Sequence, residues 1–279
     1  MQEVAFAGIP TLGGVKMRGV AVARALGVPF FDLDELRAVD RVRTLVLVKY
    51  HSRHARLIRQ KCERLVYDPL DAWSNTRYHD AQATEFWKWT LKELHFDEII
   101  ATSPACAETM RESLPSLPLH LAPHHADPAI TPAYDAAGPV VYSGAVRYIN
   151  QEKRAIRSSC QKLGKKLVIE ATKHTPRALV AASLMLHVRL KPYETHLNRF
   201  CKPQVKLENA AAAGLPIVAS NHPCTTSLRP GIVLHEGNWE ESIRQGLAAT
   251  PLCNPVTLAD HVERLGRIIG LRPRSTCAP

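Results

Sequence analysis

The sequence has no long hydrophobic run. Nothing in it approaches the ~18–20 uninterrupted apolar residues of a membrane-spanning helix, so no transmembrane segment is expected. The opening residues, Met1-Gln2-Glu3-Val4-Ala5-Phe6-Ala7-Gly8, lack a basic stretch and a long apolar core, so no signal peptide is expected. The seven cysteines (62, 106, 160, 201, 224, 253 and 277) form no C-x-x-C pair. Such an odd, unpatterned set fits reduced thiols in a cytoplasm better than a disulfide frame or a structural zinc site. There is no solenoid repeat, no low-complexity tract and no convincing Asp-x-Asp metal motif.

What is present is an ordinary globular composition. Of 279 residues, 46% are hydrophobic and 22% charged, too apolar for a disordered chain and enough to bury a proper core. The length suits one large domain or two small ones. Lysine and arginine outnumber aspartate and glutamate by 36 to 26, a net charge of +10, and the pI is near 9.4. That balance favours a polyanionic partner: nucleic acid, an anionic membrane surface or a phosphorylated substrate. It does not choose among them.

Short apolar runs alternate with longer mixed stretches. Runs at 2–7, 43–48, 64–67, 98–102 and 117–122 read as strands, and RTLVLV at 43–48 is apolar enough for burial on both faces. Helical spacing covers 16–26 and 51–65. A stretch rich in Pro, Gly and Ala around 124–139 interrupts the pattern. It then restarts, with strands expected at 140–143, 166–170, 184–188, 216–220 and 232–234. Helices are expected at 151–163, 205–213, 239–249 and 257–268. Strands alternating with helices make parallel βαβ units. The expected fold is α/β: two Rossmann-like domains, 1–130 and 139–270, with an interdomain cleft and a frayed tail at 271–279. Ligands in such sheets sit at the carboxyl ends of the strands.

The most informative string is KPQVKLENAAAAGLPIVAS, residues 202–220. A helix rich in Ala can approach a sheet and a ligand closely. Gly214 suits a helix C-cap, and Pro216 opens a strand where a missing N–H is tolerated. Glu208, one turn into the helix, can offer its carboxylate to vicinal hydroxyls, as an acidic residue does to a ribose. Lys206, near the helix start, can meet a phosphate. Taken plainly, this is a helix–turn–strand unit of any α/β protein. Taken whole, it resembles the nucleotide-sugar site of GT-B glycosyltransferases, which typically read K-L-x-E-A-x-A-x-G-x-P before a strand rich in Val and Ile.

Other segments resemble that family in the same order. Val141-Tyr142-Ser143-Gly144-Ala145-Val146-Arg147, followed by Glu152-Lys153-Arg154, is similar to its first donor-domain strand, where a glycine loop and an Arg…Lys pair hold the diphosphate. Gly13-Gly14-Val15-Lys16 resembles its glycine loop near the transfer site. Residues 97–103 and 121–127 resemble its late N-domain strand and interdomain segment. The resemblance implies a nucleotide-sugar co-substrate such as a UDP-sugar, with no metal and no other cofactor. It implies donor binding by Gly13, Gly14, Lys16, Gly144, Arg147, Lys153, Lys206 and Glu208. The chain departs from the family's Glu-x7-Glu pattern, because Phe200 stands eight residues before Glu208.

Sugar transfer requires a departing nucleoside diphosphate to be stabilised and, with inversion, an acceptor proton to be taken. Candidate bases at strand ends are His51, directly after the VLVKY run, and Asp68 and Asp71 in LVYDPLDAW. Singly, such a His is a hydrogen-bonded loop residue, and an Asp before Pro is a turn residue. His124 and His125 read as hinge residues, and Trp87 and Trp89 as core or acceptor-side packing. Arg53, Arg56 and Arg59, with Lys61 and Arg64, recur along one expected helix. Its plain reading is a solvated face. Its sharper reading is an acceptor footprint for a polyanion, with DNA bearing a hydroxylated base slightly favoured over an anionic lipid or glycan. The expectation is a cytoplasmic glycosyltransferase. The alternatives are a non-catalytic GT-B-like module that binds nucleotide or nucleic acid, and a nucleotide-sugar epimerase.

Overall fold

The computed structural model describes residues 2–49, 54–70, 83–146, 149–171, 175–188, 196–201, 204–226 and 232–271. The chain divides into two compact units. The first comprises 1–124, 196–203 and 258–279, and the second 125–195 and 204–257. Each is α/β with one wholly parallel sheet.

The first unit's sheet has six strands: β1 (Gln2–Gly8), β2 (Phe30–Asp32), β3 (Val42–Val48), β4 (Cys62–Asp68), β5 (Glu98–Ala101) and β6 (Leu119–Leu121). Their order is β2-β1-β3-β4-β5-β6, so the winding direction reverses between β1 and β3. Alternation along the strands decides which side chains meet which helices. Ala5, Ala7, Leu45, Leu47, Leu65 and Tyr67 face one layer, with Ile58, Trp87 and Met110 from helices Ala55–Gln60, Ala83–Leu94 and Pro104–Ser113. Val4, Phe6, Val46, Val48 and Val66 face the other. There they meet Val15, Val22 and Leu26 of the helical segment 13–26, and Val262, Leu265 and Ile269 of helix Leu258–Ile269.

The second unit's sheet has five strands: β7 (Val140–Ser143), β8 (Leu167–Glu170), β9 (Leu184–His187), β10 (Ile217–Ser220) and β11 (Val233–His235). The order β11-β10-β9-β7-β8 reverses between β7 and β9. Val141, Met185 and Ile217 pack against helix Val205–Ala213 through Leu207, Ala210 and Ala213. Val140, Tyr142, Leu184 and Val218 pack against Ile156 and Cys160 of helix Lys153–Lys162 and Ile243 of helix Trp239–Ala248. Gly214 caps helix Val205–Ala213 in the left-handed conformation, φ 66°.

Three differences from the sequence reading have physical causes. Of the helix expected over 51–65, the described residues form Ala55–Gln60, and it stops there because the chain from Cys62 onward is taken into the β3–β4 ladder. Helices Ala83–Leu94 and Pro104–Ser113 were not anticipated; the second is signalled by Ser103, whose hydroxyl accepts from Cys106 N, and by Pro104 at the first helical position. The closing helix belongs to the first unit, not to a C-terminal domain at 139–270, because its apolar stripe covers the β1–β3–β4 face.

Candidate functional site

At the carboxyl end of β7 the backbone turns at Gly144, whose N–H donates to Glu170 O at 2.9 Å. A Cβ at this position would lie 2.8 Å from Lys206 Nζ and 2.8 Å from Tyr142 Oη, so any larger residue requires one of these side-chain ends to shift. Lys206, in the first turn of helix Val205–Ala213 and half-buried, lies over the Tyr142 ring, Nζ 4.5 Å from its centroid. The ring face attracts the ammonium group and the Tyr142 hydroxyl is turned to Ala145 O at 3.2 Å. Beside them Ser143 Oγ and Thr175 Oγ1 share a short hydrogen bond. Lys153, half-buried, opens helix Lys153–Lys162.

Glu208 is 3% exposed, and its Oε2 accepts from Val256 N at 2.7 Å. That contact ties the helix to segment 251–257. Aligned on Lys206 and Leu207, the pattern K-L-x-E puts its glutamate at Asn209 and not, as expected, at Glu208, and Asn209 Oδ1 accepts from Asp127 N at 2.9 Å. The expected ribose grip by Glu208 therefore meets a carboxylate already committed to the backbone. Further along the same edge, His187 closes β9, Ser220 closes β10, and His222 follows two residues later, all buried. Sequence reasoning passed over these histidines; their signal is a polar residue at the end of each apolar run, in LMLHV and PIVASNH. At the end of β11, His235 stacks on Trp239, ring centroids 3.6 Å apart, and burial lowers its pKa against an opposing pull from Glu152.

In the first unit, Asp68 closes β4 but cannot serve as a base at a solvent-facing strand end. It is fully buried, and Arg18 Nε donates to its Oδ2 at 2.8 Å. Arg18 was missed because its partner is 50 residues away in sequence. Gly13 and Gly14 open the helical segment after β1 with no side-chain cap, Gly13 facing open space, and Lys16 is exposed. Trp87 is core, edge-on to Phe86, while Trp89 is half-buried. His124 and His125 are buried. His51, Arg53, Asp71 and Arg147 lie outside the described residues.

Three cations of the expected run are engaged within the fold. Arg59 pairs with Asp97 at 3.1 Å, Lys61 donates to Arg37 O at 3.1 Å, and Arg64 pairs with Glu98 at 2.6 Å. Among the described members of the run, only Arg56 is exposed. The described residues include no group of His, Cys, Asp or Glu able to hold a metal ion, and no helix long and apolar enough to cross a membrane.

No protein-family model matches the chain, and no curated protein matches it in sequence. Among solved structures it is similar to AviGT4, a glycosyltransferase involved in avilamycin A biosynthesis, at 12% identity and TM-score 0.49 over 96% of this chain and 93% of that one. It is also similar to accessory secretory protein 1, 2 and 3 of Streptococcus pneumoniae, at 9% identity and TM-score 0.49, covering 85% of this chain and 53% of that one. A glycosylation-associated protein complex of Streptococcus agalactiae matches at 10% identity and TM-score 0.46, over 85% and 54%. At these values the likeness assigns neither activity nor substrate to this chain.

Proposed function

We propose that the chain is a glycosyltransferase that takes its sugar from a nucleotide-sugar donor held at the carboxyl edge of the second sheet. The observation that carries this reading is the pairing of Gly144 with Lys206: a backbone position stripped of its side chain, against an ammonium group held at 4.5 Å over Tyr142. Such a site suits a diphosphate, because a fixed cation offsets charge that grows as the bond to the sugar breaks. The string at 202–220 supports the same assignment. Lys153 and Arg147 are the further cations proposed for the diphosphate, and His187 and His222 the side chains proposed beside the sugar. Gly13, Gly14 and Lys16 are kept in the proposed donor-binding set on the resemblance of their glycine loop alone. With Asp68 occupied by Arg18, His51 and Asp71 remain as proposed bases for a hydroxyl acceptor.

A second reading, a module that binds the nucleotide without turnover, is favoured by Asn209 at the family's glutamate position and by the bond from Val256 to Glu208. Thermal shift with UDP, GDP and dTDP and their sugars, followed by assays of donor hydrolysis and transfer, separates the two. Binding with turnover, both lost in Lys206→Ala, supports the enzyme. Binding without turnover supports the module. No stabilisation by any nucleotide sinks both, since binding free energy appears directly as added stability.

A further inference from the structure

The net charge of +10 is unevenly placed. Between residues 152 and 166 stand six cations, Lys153, Arg154, Arg157, Lys162, Lys165 and Lys166, against one acid, Glu152, so half of the net charge falls within this short stretch. Glu152 is turned to Trp239 Nε1 at 2.9 Å, and only Lys162 has an acidic partner, Glu240 at 2.9 Å, among the described residues. The last of these cations sit at the amino-terminal end of the second sheet, opposite Gly144 and Lys206. Lys165 Nζ donates to Ala136 O and to Gly138 O, Asp135 N donates to Ala182 O at 2.9 Å, and Ser183 Oγ donates to Gly138 O at 2.8 Å. These bonds hold loops 134–139 and 180–183 together beside the lysines.

On this edge two large apolar side chains face solvent, Val180 at 62% exposure and Tyr134 at 45%. Lys166, the residue before β8, is exposed at this end of the sheet, and Arg177 is exposed on helix Thr175–Leu179, three residues before Val180. Asp135 is the acid on the same loop, and its carboxylate accepts from Ala137 N. Cations alone would serve a nucleic-acid backbone. Cations flanking an exposed valine and a tyrosine fit a lipid interface, where the apolar groups enter the headgroup boundary and the cations meet anionic lipid.

We propose that the amino-terminal edge of the second unit, centred on Tyr134, Val180, Lys166 and Arg177, docks on an anionic membrane surface. Docking there leaves the Gly144–Lys206 end of the same sheet open to a water-borne ligand. The inference does not depend on the assigned chemistry of that end.

The test is co-sedimentation of the full chain with phosphatidylcholine vesicles made with and without phosphatidylglycerol, at low and physiological salt. The expected result is binding only where phosphatidylglycerol is present, weakening with salt. Lys166→Gln and Arg177→Gln should each lower partitioning about fivefold. The double change Tyr134→Ser with Val180→Ser should lower it at unchanged charge. Absence of binding to phosphatidylglycerol vesicles overturns the proposal, as does an apolar double variant that binds as the parent does. Retention on duplex DNA without sedimentation on vesicles overturns it in favour of a nucleic-acid surface.

Discussion

Arg18 and Asp68 form an ion pair with no exposed surface on either side chain, Nε to Oδ2 at 2.8 Å. Arg18 Nη1 also donates to Ala122 O at 2.9 Å, and Leu70 N reaches Asp68 Oδ1 at 3.3 Å. The pair thus joins the helical segment 13–26 to the carboxyl ends of β4 and β6. Removing one partner strands the other charge in the interior. Asp68→Ala or Arg18→Ala should each cost about 3–5 kcal/mol in urea unfolding, and the paired change Arg18→Met with Asp68→Leu should recover most of that. Single variants as stable as the parent would show that the pair is not enclosed.

Gly144→Ala tests the proposed diphosphate site. The new methyl group would meet Lys206 Nζ and Tyr142 Oη at 2.8 Å each, and the lysine is the more mobile of the two. The expected outcome is a stability cost of about 1 kcal/mol. Nucleotide-induced thermal stabilisation should be lost at the same time. Full nucleotide stabilisation in this variant would remove the carrying observation of the proposed function.

Acid stability should depend on Glu98. Burial, the largest single influence, pushes its carboxyl group up, but hydrogen bonds from Arg64 and His120 and the charges of both together hold it below the ordinary carboxylate value. A carboxylate whose folded-state pKa is depressed adds stability above its unfolded pKa and loses it as pH falls through the folded one. Arg64 also donates to Ile268 O at 2.9 Å, so this contribution bears on the closing helix. Denaturation midpoints should fall between near-neutral pH and pH below about 4. The fall should be smaller in Glu98→Gln; an identical fall would place the acid sensitivity elsewhere.

Thiol reactivity should be sharply divided. Burial pushes the Cys62 thiol up to about 11, against a lowering pull from Arg59, and burial alone takes Cys160 up to about 11. Cys253 is exposed. Since the thiolate is the reactive form, brief alkylation at mildly alkaline pH followed by peptide mass spectrometry should modify Cys253 and spare Cys62 and Cys160 until denaturant is added. Modification of Cys160 in the native protein would contradict its enclosure.

Much of the architecture was readable because parallel strands buried on both faces are written as unbroken apolar runs. Val140–Ser143 and helix Val205–Ala213 fall where composition and the Gly214 stop put them. Sequence could not say which sheet an amphipathic helix covers: the stripe Val262, Leu265 and Ile269 announces burial but not its partner. The same limit applied to charge. Arg59, Lys61 and Arg64 read as a free cationic face because their partners, Asp97, the carbonyl of Arg37 and Glu98, are brought up by tertiary folding. Lys206 was legible and its platform Tyr142 was not, since the two are 64 positions apart.

The first unit is assembled from three separated stretches of chain, the last beginning at Leu258. An expression fragment ending near residue 130 would therefore present Val4, Phe6 and Val46 as a greasy, half-uncovered slab and would tend to precipitate. Dissecting this protein into working halves calls for splicing the distal helix back onto the proximal segment, or for circular permutation, rather than for a single cut.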